Sequence, residues 1–452
     1  MNKYVSAGIS LSAILVLIRM VVWGGIPNVG PLFWVGVALL MSTMAIFAGL
    51  CWWLFFSPLP EGRQIKRSAQ LPASSYVMLI AALVAGLMSA IAVFWDETWH
   101  RIFGFGAVLD DFLWGPHKIL YFSLGTLALI SGLSLYRAIR ADRSDIRAGF
   151  RTFPHIGLLG LAAGYLIASL PSDQVWHLVF GLDITAWSLP HIILILSFGF
   201  AMISLAAVFL VSSDGSGAFN LNHLLGGLTL GVGGVLSLVL VTEYDSIAPT
   251  TVQQGQEVLR VIAERPQWTY PVTLVAIGIL LASVGVRLSR RFGVVTLAAL
   301  FIGVFRTIAV TFFNATGQMG MVSHWLVCVP MIGIDLWQLV RKENTNSLRY
   351  QMIGAVLSMI VFMIVAIPVI NTWLATYKVS MDAIPGAIIF GAIVGAWASL
   401  LGNLLGNWLT SLESGRLPEV AVTRVAGPAA VIGAVAAAIF LFFFFTAVPP
   451  HA

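Results

Sequence analysis

Two stretches of this chain carry the same ligand-type residues at the same spacing. The first runs Asp96-Glu-Thr-Trp99-His100-Arg-Ile-Phe103-Gly104 and continues to Asp110-Asp111-Phe-Leu-Trp114-Gly-Pro116-His117. The second runs Asp173-Gln-Val-Trp176-His177-Leu-Val-Phe180-Gly181, then Asp183-Ile-Thr-Ala-Trp187-Ser-Leu-Pro190-His191. Asp and His four residues apart share one face of a helix, with Cβ atoms about 5–6 Å apart. Pro116 and Pro190 suit the first positions of a following helix, so His117 and His191 each open a helix that folds back beside the preceding one. Each copy then offers one carboxylate and two imidazoles: Asp96, His100 and His117 in the first, Asp173, His177 and His191 in the second. Such a set suits copper, iron or zinc. The positive end of a helix dipole disfavours protonation of His117 and His191 and keeps the rings neutral, as ligation requires. Asp110, Asp111 and Asp183 are candidates to orient the imidazoles from behind, and Trp99, Trp114, Trp176 and Trp187 to limit water at the site. The same residues also suit an interfacial tryptophan belt with hydrogen-bonded Asp–His pairs. Recurrence of the whole set favours the metal reading.

The elements that must position these residues follow from composition. Of 452 residues, 59% are hydrophobic and 10% charged, with a mean hydropathy of +0.94. Soluble domains carry about 25% charged residues, and a helix crossing a bilayer needs roughly 20 apolar residues in a row. A soluble enzyme, a secreted disulfide scaffold and a disordered regulator are excluded. The net charge of +5 sits in short loops between apolar runs, a topological signal rather than a nucleic-acid footprint. The expected partner is therefore the lipid bilayer, with no nucleic acid. Cys51 and Cys328 lie in separate apolar runs and form no thiolate metal motif. The first apolar run, from Val5, reads as an anchor rather than a cleaved signal peptide.

The pattern predicts an all-α, polytopic transmembrane helical bundle of about 13 spans. They fall near 5–25, 31–57, 74–95, 115–137, 152–171, 190–212, 221–243, 270–288, 292–313, 323–340, 351–376, 385–409 and 426–447. The tandem unit is a helix-loop-helix repeat, with Ser123 and Gly125 answered by Ser197 and Gly199. Three regions are expected: an N-terminal transmembrane hairpin and basic loop (1–73), the tandem-repeat metal-binding region (74–212) and a C-terminal transmembrane bundle (213–452). Basic residues gather at Arg63–Arg67, Arg137–Arg151, Arg287–Arg291 and Arg341–Arg349. Each group follows an even-numbered span, so all four share the cytoplasmic side. The expected setting is a bacterial inner membrane with the N-terminus cytoplasmic and the metal loops outside. The outer loop at 244–269 contains an amphipathic stretch, Val252–Glu264. Ala426–Val448 reads as a plain lipid-facing or packing helix.

Other polar residues are weaker candidates. Glu243 and Asp245 end the seventh span, and Asn314, Gln318, Met319, Met321 and His324 line a turn on the same side. They suit a second coordination sphere, Cu(I) on Met and His, or simply a solvated loop. Arg306 lies within a span and needs an anionic or carbonyl partner; it reads as stabilising a helix contact. Asp335 lies toward the inner side. His155 and His223 fall near the cytoplasmic ends of their spans and His451 lies in the tail, so none of the three is expected to join the outer site. The glycines from Gly226 to Gly234 read as close helix packing.

Over about residues 90–200 the chain resembles the C subunit of the particulate methane and ammonia monooxygenases. The resemblance rests on Asp96, His100 and His117 and on Asp173, His177 and His191. These match that subunit's two metal motifs, Asp-x-x-x-His and Asn-x-x-x-His, each with a downstream His. This chain has Asp173 where the family has Asn, and a longer gap from His100 to His117. The resemblance implies copper, with additional membrane or periplasmic subunits as partners, and a copper-dependent oxidoreductase if the protein is an enzyme. Either a hydroxylase component or a copper-handling protein fits. A b-type cytochrome with axial histidines on haem and a secondary transporter with paired hairpin gates are the alternatives.

Overall fold

The computed structural model describes residues 3–23, 31–61, 65, 73–103, 115–180, 186–211, 219–245, 260, 262–263, 265–313, 320–340, 347–375, 377–412 and 422–446. Among them the chain is helical throughout. The helices are α1 (Lys3–Trp23), α2 (Pro31–Phe55), α3 (Ala73–Phe103), α4 (Gly115–Ala141), α5 (Ile146–Thr152), α6 (Pro154–Phe180), α7 (Leu189–Val211) and α8 (Leu221–Ser237). They continue as α9 (Val239–Thr242), α10 (Thr269–Ser289), α11 (Val294–Phe313), α12 (Val322–Val340), α13 (Leu348–Trp373), α14 (Ile384–Ser411) and α15 (Val422–Thr446).

Among the described residues, eleven helices are long and apolar enough to cross a membrane, against about thirteen spans expected. Two further apolar stretches are Tyr4–Val16, the part of the longer α1 whose side chains are described, and α8. Its 17 residues make α8 roughly 25 Å long at the helical rise of 1.5 Å per residue, short of the roughly 30 Å hydrocarbon layer. Its glycines keep the sequence apolar, but the helix stops at Leu238 and restarts as the one-turn α9. Hydropathy counts apolar residues; it does not see that break.

The bundle is built by consecutive packing. Helix α3 lies on α4, α4 on α6 and α6 on α7, so the two motif-bearing hairpins are neighbours. From α7 the chain passes to α8, which packs on α11, while α10 lies against α12 and α14. The last helix, α15, returns to α3 and α4. Without water to drive helices together, such contacts depend on close backbone approach. Helix α8 supplies it on two sides. A Cβ at Gly227 or Gly231 would stand 3.1 Å from the Val294 or Ala298 carbonyl of α11, and one at Gly226 would strike Leu210 of α7. The expected packing role of these glycines is observed.

At the opposite end from the motif loops, polar groups finish the helices. Asp335 of α12 accepts from the Gly293 and Thr296 amides and the Thr296 hydroxyl at 2.7–3.0 Å, closing the start of α11. Arg151 donates to the Leu54 and Ser57 carbonyls at the end of α2. The His155 ring meets the Leu409 carbonyl at 2.6 Å, and His223 pairs with Asn220 at the start of α8. Cys51 and Cys328 are buried and unbridged.

Candidate metal centre

Helix α3 continues through Phe103 and α6 through Phe180, so Asp96 and His100, like Asp173 and His177, sit on the last turns of helices, as their spacing requires. Helices α4 and α7 begin at Gly115-Pro116 and Leu189-Pro190, which places His117 and His191 in their first turns. Across the first hairpin, His117 Nε2 lies 3.2 Å from Asp96 Oδ1; across the second, His191 Nε2 lies 3.4 Å from Asp173 Oδ1. The four side chains are about a quarter to a third exposed, at 25% and 27% for the first pair and 34% and 28% for the second. The exposed parts lie elsewhere on these side chains, because Asp96 Oδ1 and Asp173 Oδ1 are themselves buried.

The separations are compatible with two kinds of contact. A charge-assisted hydrogen bond between an imidazolium and a carboxylate closes to about 2.7–2.9 Å. Two ligand atoms on one ion at about 2.1 Å each stand roughly 3.0–3.4 Å apart at square to tetrahedral angles. Both pairs fall in the wider range, through the ring nitrogen and oxygen that would face a shared ion, and the 3.2 Å pair also lies at the long end of a direct hydrogen bond. The donor set, imidazole with carboxylate, also fits copper, iron or zinc.

The side chains of His100, His177 and Trp99 lie outside the described residues, as do Asp110, Asp111, Trp114, Asp183, Asn314, Gln318, Met319 and most of Val252–Glu264. Among the described residues no three His, Cys, Asp or Glu side chains gather to hold a metal; each hairpin contributes a pair. Trp176 is buried. Trp187 is buried too, donating to the Leu240 carbonyl at 2.6 Å with the Arg265 guanidinium 5.6 Å from its ring. It ties the second hairpin to the segment after α8.

Several residues at this centre escape a reading of the motifs alone. Tyr121, one turn beyond His117, has its ring 6.0 Å from the imidazole, and its hydroxyl is within electrostatic reach of both Asp96 and Asp173. Around the first pair, the Trp95 ring packs on Phe313 of α11 and on Phe440 and Phe444 of α15. Lys118 lies over Phe443 at 5.8 Å. Arg306 of α11 finds both kinds of partner that its position demands: Nη1 donates to Glu97 Oε2 at 3.2 Å and Nε to the Gly320 carbonyl at 3.0 Å.

The weaker candidates form a buried network of their own, so the solvated-loop reading does not hold for Glu243, Asp245 and His324. Glu243 pairs with Arg265, which also donates to the Tyr244 hydroxyl at 2.7 Å. Asp245 accepts from the Tyr270 hydroxyl at 3.0 Å, the Ser323 amide at 2.9 Å and the Ser323 hydroxyl at 2.5 Å. Burial alone would raise the Asp245 carboxyl. The His324 ring, the Arg306 charge and the Ser323 hydroxyl outweigh it and hold the group below the usual carboxylate range. Met321 accepts from the Thr307 hydroxyl through its sulfur at 3.3 Å.

Asp245, Ser323 and His324 are the residue types of a hydrolase triad, but the proton order is wrong for one. Ser323 has a single hydroxyl proton and gives it to Asp245, so its oxygen must accept from His324 Nδ1, 2.9 Å away. That fixes the ring with its proton on Nδ1. His324 Nε2, buried and without a hydrogen-bond partner among the described residues, then carries a lone pair rather than a stranded N–H. Ser323 is a link in a cap on α12, not an activated nucleophile. Comparison with known proteins adds no relative: no family model, curated protein or solved structure matches this chain.

Proposed function

We propose that this chain is an integral membrane metal protein whose two Asp–His pairs each hold a copper ion. Asp96 and His117 would bind the first, with His100 from the same face of α3, and Asp173, His191 and His177 the second. The observation that carries this reading is the matched 3.2 and 3.4 Å separation of Nε2 and Oδ1 in both hairpins. Copper is preferred over iron and zinc through the resemblance to the monooxygenase C subunit. When bound, the ion supplies one-electron oxygen chemistry to a hydroxylase component, or is itself the cargo of a copper-handling protein. What the chain contributes is an imidazole at a helix start, a carboxylate on the neighbouring helix end, and aromatic cover from Trp95 and α15. In this reading the tandem repeat faces outward from a bacterial inner membrane, and a hydroxylase would work with further membrane or periplasmic subunits.

Metal content of the detergent-purified protein tests the proposal. Wild type should hold one or two equivalents of copper, reduced in His117→Ala and in His191→Ala and lost when both are changed. Absence of metal after reconstitution with copper, iron and zinc in turn would refute it, and a Soret band would substitute haem. A second reading, secondary transport, draws on the buried Arg306 paired with the partly buried Glu97, since charge held inside a membrane bundle marks substrate and ion paths. It predicts flux into proteoliposomes that is lost on changing Arg306, with no dependence on His117 or His191.

A further inference from the structure

The two copies of the motif differ at the positions through which the rest of the protein grips the first one. Trp95, Glu97, Lys118 and Tyr121 of the first copy answer to Ser172, Gln174, Ile192 and Ile195 of the second. Trp95 meets α11 and α15, Glu97 meets Arg306 of α11, and Lys118 meets Phe443 of α15. The second copy lacks the tryptophan, carboxylate, ammonium and phenol at these four positions. The Asp and His residues are shared, while these four positions are not.

Helix geometry says what the attachments accomplish. Phe94 and Glu97, three residues apart, lie on one face of α3. Arg306 covers that face, its guanidinium carbon 4.6 Å from the Phe94 ring centroid and Nη1 on the Glu97 carboxylate. At about 100° per residue, Asp96 lies about 160° round the helix from Phe94. Holding the Phe94–Glu97 face against α11 therefore turns Asp96 toward α4 and His117. Arg306 is 1% exposed, and its Nε is bonded to the Gly320 carbonyl just before α12. The start of α12 is in turn fixed by Ser323 on Asp245. The rotation of the α3 end is thus set by the C-terminal half of the chain.

We infer that Arg306, acting through Glu97, is the positioning residue of the Asp96–His117 site, and that the two metal sites are inequivalent because Gln174 stands at the Glu97 position of the second copy. This rests on the metal reading above, but the geometry it describes exists with or without an ion. The test therefore has two readouts. The variants are Glu97→Gln, which installs the residue of the second copy, and the double variant Glu97→Gln/Arg306→Met, which removes both charges together. The double variant avoids leaving a buried guanidinium unpaired and serves where the single change does not fold.

In metal-free protein, the 15N resonances of His117 and His191 report each pair separately. The inference expects His117 to move in both variants and His191 to stay. Copper titration in His191→Ala and His117→Ala backgrounds then isolates the first and second sites. Affinity at the first should fall tenfold or more, and at the second less than twofold. Arg306→Lys, which keeps a cation for Glu97, should recover part of the loss. Equal movement of both histidines, or movement of neither, would overturn the inference. If wild type binds no metal while His117 alone moves, the metal reading fails and the positioning role of Arg306 stands.

Discussion

Replacing Asp245 by Asn tests the proton order deduced for the buried network, because it changes one atom and leaves the shape. Oδ1 still accepts from Tyr270 and from the Ser323 amide, but the atom facing the Ser323 hydroxyl becomes an NH2 donor. Ser323 must then reverse and donate to His324 Nδ1, which forces the ring proton from Nδ1 to Nε2. The variant should therefore switch the His324 tautomer, read directly from its 15N shifts. The cost in stability has a definite sign. A carboxyl held below its usual range is stabilised as an anion more by its surroundings than by water, so neutralising it is unfavourable. Bonds to a charged acceptor contribute about 1.5–3 kcal/mol each and neutral ones about 0.5–1.5. Three such bonds, weakened but mostly retained, put the loss at about 2–4 kcal/mol in reversible SDS-driven unfolding.

The same group sets an acid limb. Because the folded Asp245 is depressed below its ordinary value of 3.8, its contribution is complete above that value and is lost as pH falls through the lower, folded one. The Asn variant should lack that part of the limb. An unchanged His324 tautomer in Asp245→Asn would refute the deduced order. A stability change under 1 kcal/mol would refute the role of the anion as a cap on α12.

Three further perturbations address the frame. Gly231→Leu on α8 should cost at least 1–3 kcal/mol through overpacking, since even a Cβ there meets the Ala298 carbonyl and the Phe301 ring, while Gly125→Ala, with open space around it, should be neutral in the same unfolding assay. Asp335→Ala leaves the first amides of α11 without their acceptor and should lose about 2–4 kcal/mol, with faster hydrogen exchange at the first turn of α11 as its local signature. Arg265→Met strands the buried Glu243 and should cost about 3–5 kcal/mol; Arg265→Met/Glu243→Leu should restore most of it, and failure to restore would mean that the cation acts mainly through Trp187 and Tyr244.

What could be read from the chain, and what could not, divides by the range of the interaction. Asp96 with His100 is a local relation of four residues on a helix, and Pro116 before His117 is a local start signal; both places hold in the fold. The glycine run of α8 is legible for the same reason. The Glu97–Arg306 pair joins residues 209 apart, and no periodicity connects them. Glu243 and Arg265 are closer in sequence, but Arg265 follows a stretch that reads as an amphipathic surface helix, which hides its buried partner. Tyr121 was invisible for another reason. Comparing repeats draws attention to what the copies share, and Tyr121 is a residue that they do not share. The aromatic run of α15 looks the same whether it faces lipid or Trp95, because hydropathy carries no direction.

The buried charges also say what kind of work they do. An ion pair taken out of water gains little over an apolar contact, yet losing one partner costs several kcal/mol. Such pairs are poor glue and strict gauges of position. Helix association in this bundle has other sources, in the α8 glycines and the broad apolar contacts of α10 with α14 and α7 with α8. The Glu97–Arg306 and Glu243–Arg265 pairs instead fix the segments that end α3 and follow α8. One of those segments carries Asp96, and the other leads from Asp245 to the start of α12. Were the first Asp–His pair only a structural contact, a rotation of α3 by a few tens of degrees would be harmless, and apolar residues at 97 and 306 would serve equally well. Charge at both positions is costly unless the angle of that last turn matters, and the residue whose direction the angle decides is Asp96.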